Sequence, residues 1–348
     1  MGLHRIGDEP NPAGNASLRH IGVLDGWRAL SISLVLIGHL LPVGPSGLKL
    51  NAPTAATGMV MFFTLSGFLI TRFLIENGDV RGFLIRRLAR IVPLGWLGMF
   101  AAYIVAEDAD LTQLAGNLLF YANLPPFFLI PSGGHFWSLC LEVQFYLSIA
   151  LLVTLGGRRA LLVIPLLCIA ITCARLYSHE QISIVSWFRA DEILAGATLA
   201  LIFEGWFGQR PIRMLAKPNI FILFALVFAS ADQRTGFLPY LRPYLSALMI
   251  GASLYNAPSW LLALCRWRPV TYVAQTSYAL YVFHGILSYT WLGTGDTVVK
   301  YAKRPLLFAI TFGCAHISTF YYERRFTALA KRITRRNAGN GDAAKLSA

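Results

Sequence analysis

An arginine and a histidine stand eleven positions apart in the first apolar stretch, LDGWRALSISLVLIGHL, as Arg28 and His39. At ~100° and ~1.5 Å per residue, that spacing places both on one helix face, ~16 Å apart along the axis. A guanidinium clamps anions, and an imidazole with a pKa of ~6.5 can take a proton from a weakly nucleophilic hydroxyl. Asp25, three residues before Arg28, is spaced to pair with it. A snorkelling arginine at one interface and a histidine at the other would give the same pattern.

A second set lies in GHFWSLCLEVQFYL, where His135, Ser138, Glu142 and Tyr146 fall on one helix face of an otherwise apolar segment. Such a stripe faces a protein interior or a cavity, because lipid would leave it unsatisfied. Glu142 is expected ~10 Å inward of the outer end, at a depth comparable with His39. It could hold an imidazole tautomer or belong to a structural hydrogen-bond network. Ser277, Tyr281, His284 and Ser288 share a face of a later segment, and FRADE supplies Arg189, Asp191 and Glu192. For these two sets packing and ion pairing are the expected roles. Arg81, Arg86, Arg87 and Arg90 in RGFLIRRLARIVP form a basic inner surface that would suit a polyanion. Basic residues also belong on the inner side of any membrane protein.

The elements that must position these groups are apolar helices. The chain has 348 residues, 56% hydrophobic and only 14% charged, with a mean hydropathy of +0.56. A soluble domain carries nearer ~25% charged residues, so lipid must solvate much of the surface. With ~20 apolar residues per span, about ten candidate spans are predicted: 24–42, 54–75, 91–106, 135–155, 160–176, 187–206, 219–231, 240–256, 269–292 and 305–322. The fold class is therefore an all-α membrane bundle of about ten transmembrane helices.

Lysine and arginine concentrate in alternate connections. Arg5, Arg19, the Arg81–Arg90 block, Arg158, Arg159, Arg210, Arg213, Lys217, Arg266, Arg268 and the tail from Arg324 to Lys345 fall on one side. Lys49, Arg234, Lys300, Lys303 and Arg304 fall on the other. Both termini are accordingly predicted to be cytoplasmic. Residues 1–23 form a cytoplasmic N-terminal segment without a small-residue cleavage site, so the first span is expected to act as an uncleaved anchor. Residues 24–325 form the transmembrane domain, and the basic tail 326–348 is expected to be disordered. Residues 111–134, broken by Pro125, Pro126 and Pro131, either lie on the outer surface or dip back into the bundle.

The net charge of +13 follows from this one-sided pattern. No basic run interleaves with aromatics in a soluble module, which argues against nucleic-acid binding. Cys140, Cys168, Cys173, Cys265 and Cys314 lie in or beside apolar spans without metal-type or paired extracellular spacing, so neither a metal site nor a disulfide framework is expected.

The segment LDGWRALSISLVLIGH resembles the opening motif of the acyltransferase-3 family, a basic residue and a histidine with ten residues between. FFTLSGFLITRFL, RRLARIVPL, HFWSLCLEVQFYL, FRADEILAGATLA and SYALYVFH resemble that family's successive blocks, in order and across nearly the whole chain. The resemblance implies a ten-helix membrane O-acyltransferase of the bacterial cytoplasmic membrane. It would take acyl-CoA, chiefly acetyl-CoA, as donor substrate with no tightly bound cofactor. It would acylate a glycan or glycolipid hydroxyl of the cell surface or of a secreted polymer. It further implies essential roles for Arg28 and His39, an active-site carboxylate in Glu142, and a donor-side block in Arg86, Arg87 and Arg90. Ser66, Trp137, Ser138, Tyr146, Tyr281 and His284 are candidate substrate-lining residues, although Ser66 fits a close helix contact equally well. The C-terminal SGNH domain that some members carry is not expected here. A proton-coupled transporter or flippase of a glycan or lipid precursor is the rival reading, since it also needs buried charge. No internal repeat supports it.

Overall fold

The computed structural model describes residues 22–346, with side chains as far as Arg335. The predicted N-terminal segment, with Arg5 and Arg19, lies outside the described residues apart from its last two positions. The described chain is helical, with no strand. In chain order the helices begin α1 (Gly22–Leu40), α2 (Asn51–Asn77), α3 (Val80–Val105), α4 (Leu111–Leu118) and α5 (Trp137–Gly156). There follow α6 (Ile164–Tyr177), α7 (Ser186–Arg189), α8 (Asp191–Phe203), α9 (Gln209–Leu215), α10 (Ile220–Ser230) and α11 (Leu238–Asn256). The last are α12 (Ser259–Cys265), α13 (Arg268–Tyr289), α14 (Thr297–Ala302), α15 (Arg304–Ile317) and α16 (Arg324–Leu346).

Local chemistry sets several boundaries. Gly78 ends α2 in the left-handed region at φ 62°, which a residue without Cβ adopts at little cost. Asp79 then caps α3 by accepting from the Gly82 amide at 2.8 Å. Asp110 and Gln113 form a reciprocal capping box at the start of α4. The bond from the Thr112 hydroxyl holds the exposed Asp110 carboxyl below the usual carboxylate range.

Five of these helices are long and apolar enough to cross a membrane: α1, α2, α3, α5 with its preceding turn from Pro131, and α6 with its preceding turn from Arg158. Two bent pairs, α9 with α10 and α11 with α12, raise the number to seven if each is one span. The sequence predicts about ten. Several of the remaining candidates are interrupted: α8 runs for 13 residues, α10 for 11 and α15 for 14. Gly205 and Gly208, both at positive φ, separate α8 from α9, and a π-helical turn over Ser318–Glu323 joins α15 to α16.

The described residues divide into two compact units, the first of residues 22–78 and 156–277, the second of residues 79–155 and 278–346. The core of the first includes Trp27, Val60, Phe68, Phe203 and Met249. Its helices approach closely where side chains are absent. A Cβ on Gly67 of α2 would run into the Ile193 carbonyl of α8, and one on Gly196 of α8 into the Thr64 carbonyl of α2. Small residues at such contacts allow backbones to pack without a hydrophobic drive between them. Buried hydroxyls add cross-links: Trp27 Nε1 donates to Ser253 Oγ at 2.8 Å, and Thr64 and Ser246 share a 2.9 Å bond.

In the second unit, the Tyr278 hydroxyl donates to the Ile91 carbonyl at 2.6 Å and Ser132 Oγ to the Ala102 carbonyl at 2.7 Å. The segment 111–134 returns to α3 rather than forming a span. Trp96 Nε1 donates to the Leu118 carbonyl, and the buried Asn117 donates to the Phe128 carbonyl.

The basic tail beyond Arg325 is drawn as helix α16 to Leu346. Ala330 and Thr334, four residues apart and both buried, form one packed stripe. Arg86 of α3 donates to the Thr334 hydroxyl at 3.3 Å. Burial of that stripe supplies what composition alone withholds from the helix.

Candidate active site

Of the four residues of the expected stripe, Ser138, Glu142 and Tyr146 lie buried on α5, whereas His135 stands in the turn before it. Glu142, only 6% exposed, accepts a 2.6 Å hydrogen bond from the Tyr146 hydroxyl one turn later. The Phe83 ring of α3 packs edge-on against Tyr146 with centroids 5.9 Å apart, so α3 and α5 lie side by side at this level. Arg87, one turn beyond Phe83, is within electrostatic reach of both Glu142 and Tyr146. Arg90 interacts with Tyr146, with Tyr278 and with Glu323.

This alters the reading of the arginine block. The sequence places Arg81, Arg86, Arg87 and Arg90 together at the inner surface, away from an outer-half Glu142. Only Arg81 is exposed. Arg86 pairs with Asp79 at 3.7 Å besides its bond to Thr334, whereas Arg87 lies within electrostatic reach of the buried carboxylate. The physical cause is the helical repeat: successive arginines on α3 point ~100° apart, so one faces the rim while its neighbour faces α5.

Towards the other end of α5 a second polar group assembles. Ser138 Oγ and the Tyr281 hydroxyl are 2.6 Å apart, and Tyr281 also donates to the His135 carbonyl. His284, fully buried, donates from Nδ1 to the Tyr281 carbonyl at 2.6 Å. His135 Nε2 donates to the Val282 carbonyl at 3.2 Å. Because carbonyls only accept, these bonds fix complementary tautomers in the neutral rings. The two imidazole centroids are 4.9 Å apart. Ser138, Tyr281 and His284, drawn from two separate polar stripes, are thus brought together, with His135 beside them. Trp137, partly buried, begins α5 beside them.

In the first unit, Arg28 forms the expected pair with Asp25, 3.1 Å apart on one face of α1. His39 lies on the last turn of α1 and is exposed in the chain. Ser66 is half-buried on α2, beside the Gly67 contact with α8.

The FRADE residues form ion pairs, as expected, but in a larger cluster than the segment alone indicates. Arg175 of α6 meets Asp191 at 2.5 Å, Arg189 meets Glu192 at 3.1 Å, and Arg242 of α11 meets Glu192 at 2.7 Å. All five side chains are almost fully buried. Arg175 and Arg242 were legible as ionisable residues at membrane depth, the signal that marked Glu142. Among the described residues no group of three His, Cys, Asp or Glu side chains is placed to hold a metal ion.

A helical membrane-type chain with a buried carboxylate, a tyrosine and an arginine converging from adjacent helices has the makings of an intramembrane enzyme. The model of the acyltransferase domain family matches residues 21–324, and the chain belongs to that acyltransferase-3 family, as its motifs implied. It is similar to the "Putative peptidoglycan O-acetyltransferase YrhL" of Bacillus subtilis, 24% identical over 321 residues, covering 76% of this chain and 48% of that protein. It is also similar to the "O-acetyltransferase OatA" of Staphylococcus aureus, 25% identical over 318 residues, covering 77% of this chain and 50% of that protein. The chain spans about half the length of these curated relatives. No solved structure matches it.

Proposed function

We propose that this protein is a membrane O-acyltransferase that moves an acyl group, acetyl in the first instance, from cytoplasmic acyl-CoA to a hydroxyl of a cell-surface or secreted glycan. The observation that carries the reading is the buried Glu142, held by Tyr146 and within electrostatic reach of Arg87, in a chain of this family. The relatives' names favour a glycan acceptor such as peptidoglycan. Residues 24–325 would be the catalytic domain of a multi-pass protein of the bacterial cytoplasmic membrane. In this reading α8, α10, α11, α13 and α15 join the five long apolar helices to make about ten crossings, with both termini cytoplasmic.

In the proposed reaction the His39 imidazole takes the proton of the acceptor hydroxyl as its oxygen attacks the thioester carbonyl. The tetrahedral intermediate collapses, the carbon–sulfur bond breaks, and the thiolate of CoA leaves with that proton. Glu142 would stabilise the transient positive charge, and Arg28 would steady the donor arm. Arg86, Arg87 and Arg90 would receive the phosphates of CoA. Ser66, Trp137, Ser138, Tyr146, Tyr281 and His284 would line the acceptor path.

The test is acyl transfer by the purified, correctly inserted His39→Ala protein. Turnover should fall by a factor on the order of 10²–10⁴ while acyl-CoA binding persists. Wild-type rates would remove His39 from the mechanism.

A further inference from the structure

The first unit contains an apolar cleft of about 300 Å³ formed by α1, α12 and the first turns of α13. It exists because the chain turns back at an angle of 106° between α11 and α12. That turn lays Cys265 directly on Gly26 of α1, where any Cβ would collide with the thiol. Gly26 and Cys265 line the cleft together with Trp27, Leu30, Leu261, Val270 and Val273. Ser33 also lines it, but its hydroxyl is already spent on the Ala29 carbonyl at 2.8 Å. The cleft therefore offers little to a polar ligand, and its occupant must be hydrocarbon where it lies inside.

The rim has the opposite character. Arg266 and Arg268, both exposed, flank the lining residues Cys265 and Pro269. Trp267 stands between them, 60% exposed. Guanidinium groups grip phosphate oxygens in a bidentate manner, and tryptophan settles at the headgroup level of a bilayer. An apolar trough whose lining residues Cys265 and Pro269 bracket two exposed arginines and a tryptophan in the chain thus matches one amphiphile: a hydrocarbon tail joined to an anionic headgroup. A partner helix, ~10–12 Å across, would not fit a cleft of this size.

We propose that this cleft is a specific site for a phospholipid with an anionic headgroup, one acyl tail in the trough and the phosphate on Arg266 and Arg268. The site lies on the turn of α1 that also carries Arg28.

The experiment uses the full chain, purified in detergent and offered equal amounts of phosphatidylglycerol and phosphatidylcholine, with retained lipid read by native mass spectrometry. Wild type should retain one phosphatidylglycerol in at least about tenfold preference, a free-energy difference of ~1.4 kcal/mol. Arg266→Gln with Arg268→Gln should bring the preference close to unity. Val270→Trp, which fills the trough, should abolish retention of both lipids, and Ser33→Phe fills it from α1 if that variant does not fold. Equal retention of both lipids by wild type, or an unchanged preference in the double glutamine variant, would overturn the proposal. So would displacement of the lipid by free glycerophosphoglycerol at matched concentration, since the tail would then contribute nothing. A protein chain co-purifying on these residues in place of lipid would overturn it as well.

Discussion

The Tyr146 hydroxyl and the Glu142 carboxylate are joined by a 2.6 Å hydrogen bond one helical turn apart, in a setting where the carboxylate is almost sealed from solvent. A hydrogen bond to a charged group contributes ~1.5–3 kcal/mol, and its loss in a buried place leaves the acceptor short of a partner. Tyr146→Phe should therefore lower thermal stability and reduce turnover. Glu142→Gln keeps the shape but removes the charge, and should reduce turnover further. Rates of acyl transfer by each purified variant, beside their melting temperatures, check both expectations. A Glu142→Gln enzyme as fast as wild type would remove the carboxylate from the proposed chemistry.

Arg86 and Arg87 are adjacent in sequence but differ in their surroundings. Arg86 is engaged by Asp79 and Thr334 at the rim, and Arg87 lies within electrostatic reach of Glu142 and Tyr146. Arg87→Ala should weaken acyl-CoA binding by about tenfold or more, roughly 1.4 kcal/mol. Arg86→Ala should weaken it less, by about threefold or roughly 0.6 kcal/mol, because Asp79 and Thr334 already hold part of that side chain's bonding capacity. Lysine at position 87 should rescue only in part, because it lacks the planar fork. Titration calorimetry with acyl-CoA reads the difference, and equal losses at the two positions would refute the division of the block.

The Arg175–Asp191 pair is buried on both sides. Removing one partner from such a pair costs about 3–5 kcal/mol, whereas an apolar replacement of both can be neutral. Arg175→Met alone should markedly lower the melting temperature, and adding Asp191→Leu should recover much of the loss. Arg175 also donates to the carbonyls of Glu180 and Pro239, so recovery should stay incomplete. Thermal denaturation in detergent gives the comparison. Full stability in the single variant would show that the pair contributes nothing.

Topology follows from the arginine asymmetry and can be read by cysteine accessibility. A cysteine at Lys49 should react with an impermeant reagent from outside the cell, and one at Arg81 should not. Both positions are exposed in the chain. Position 82 is unsuitable, because a Cβ on Gly82 would collide with the capping carboxylate of Asp79. Labelling of Arg81→Cys from outside would reverse the proposed orientation and move the arginine block to the wrong side for a cytoplasmic donor.

The sequence by itself determined that this is a helical membrane-type chain of the acyltransferase-3 family. It also singled out Glu142, the Arg28–Asp25 pair and the ion-paired FRADE segment. Those properties are local or periodic: apolar run length, the ~3.6-residue repeat and the cost of an ionisable group in an apolar run can all be read along one helix. Only the tertiary structure decided which helix a polar face meets. The nearness of Arg87 to Glu142, the capture of His135 by a carbonyl of α13, and the recruitment of Arg175 and Arg242 to the buried cluster depend on neighbours far apart in the chain. The helical tail was illegible for the same reason. A basic, weakly apolar segment has no reason to order until Ala330 and Thr334 find a surface to pack on, and the composition of the segment does not contain that surface.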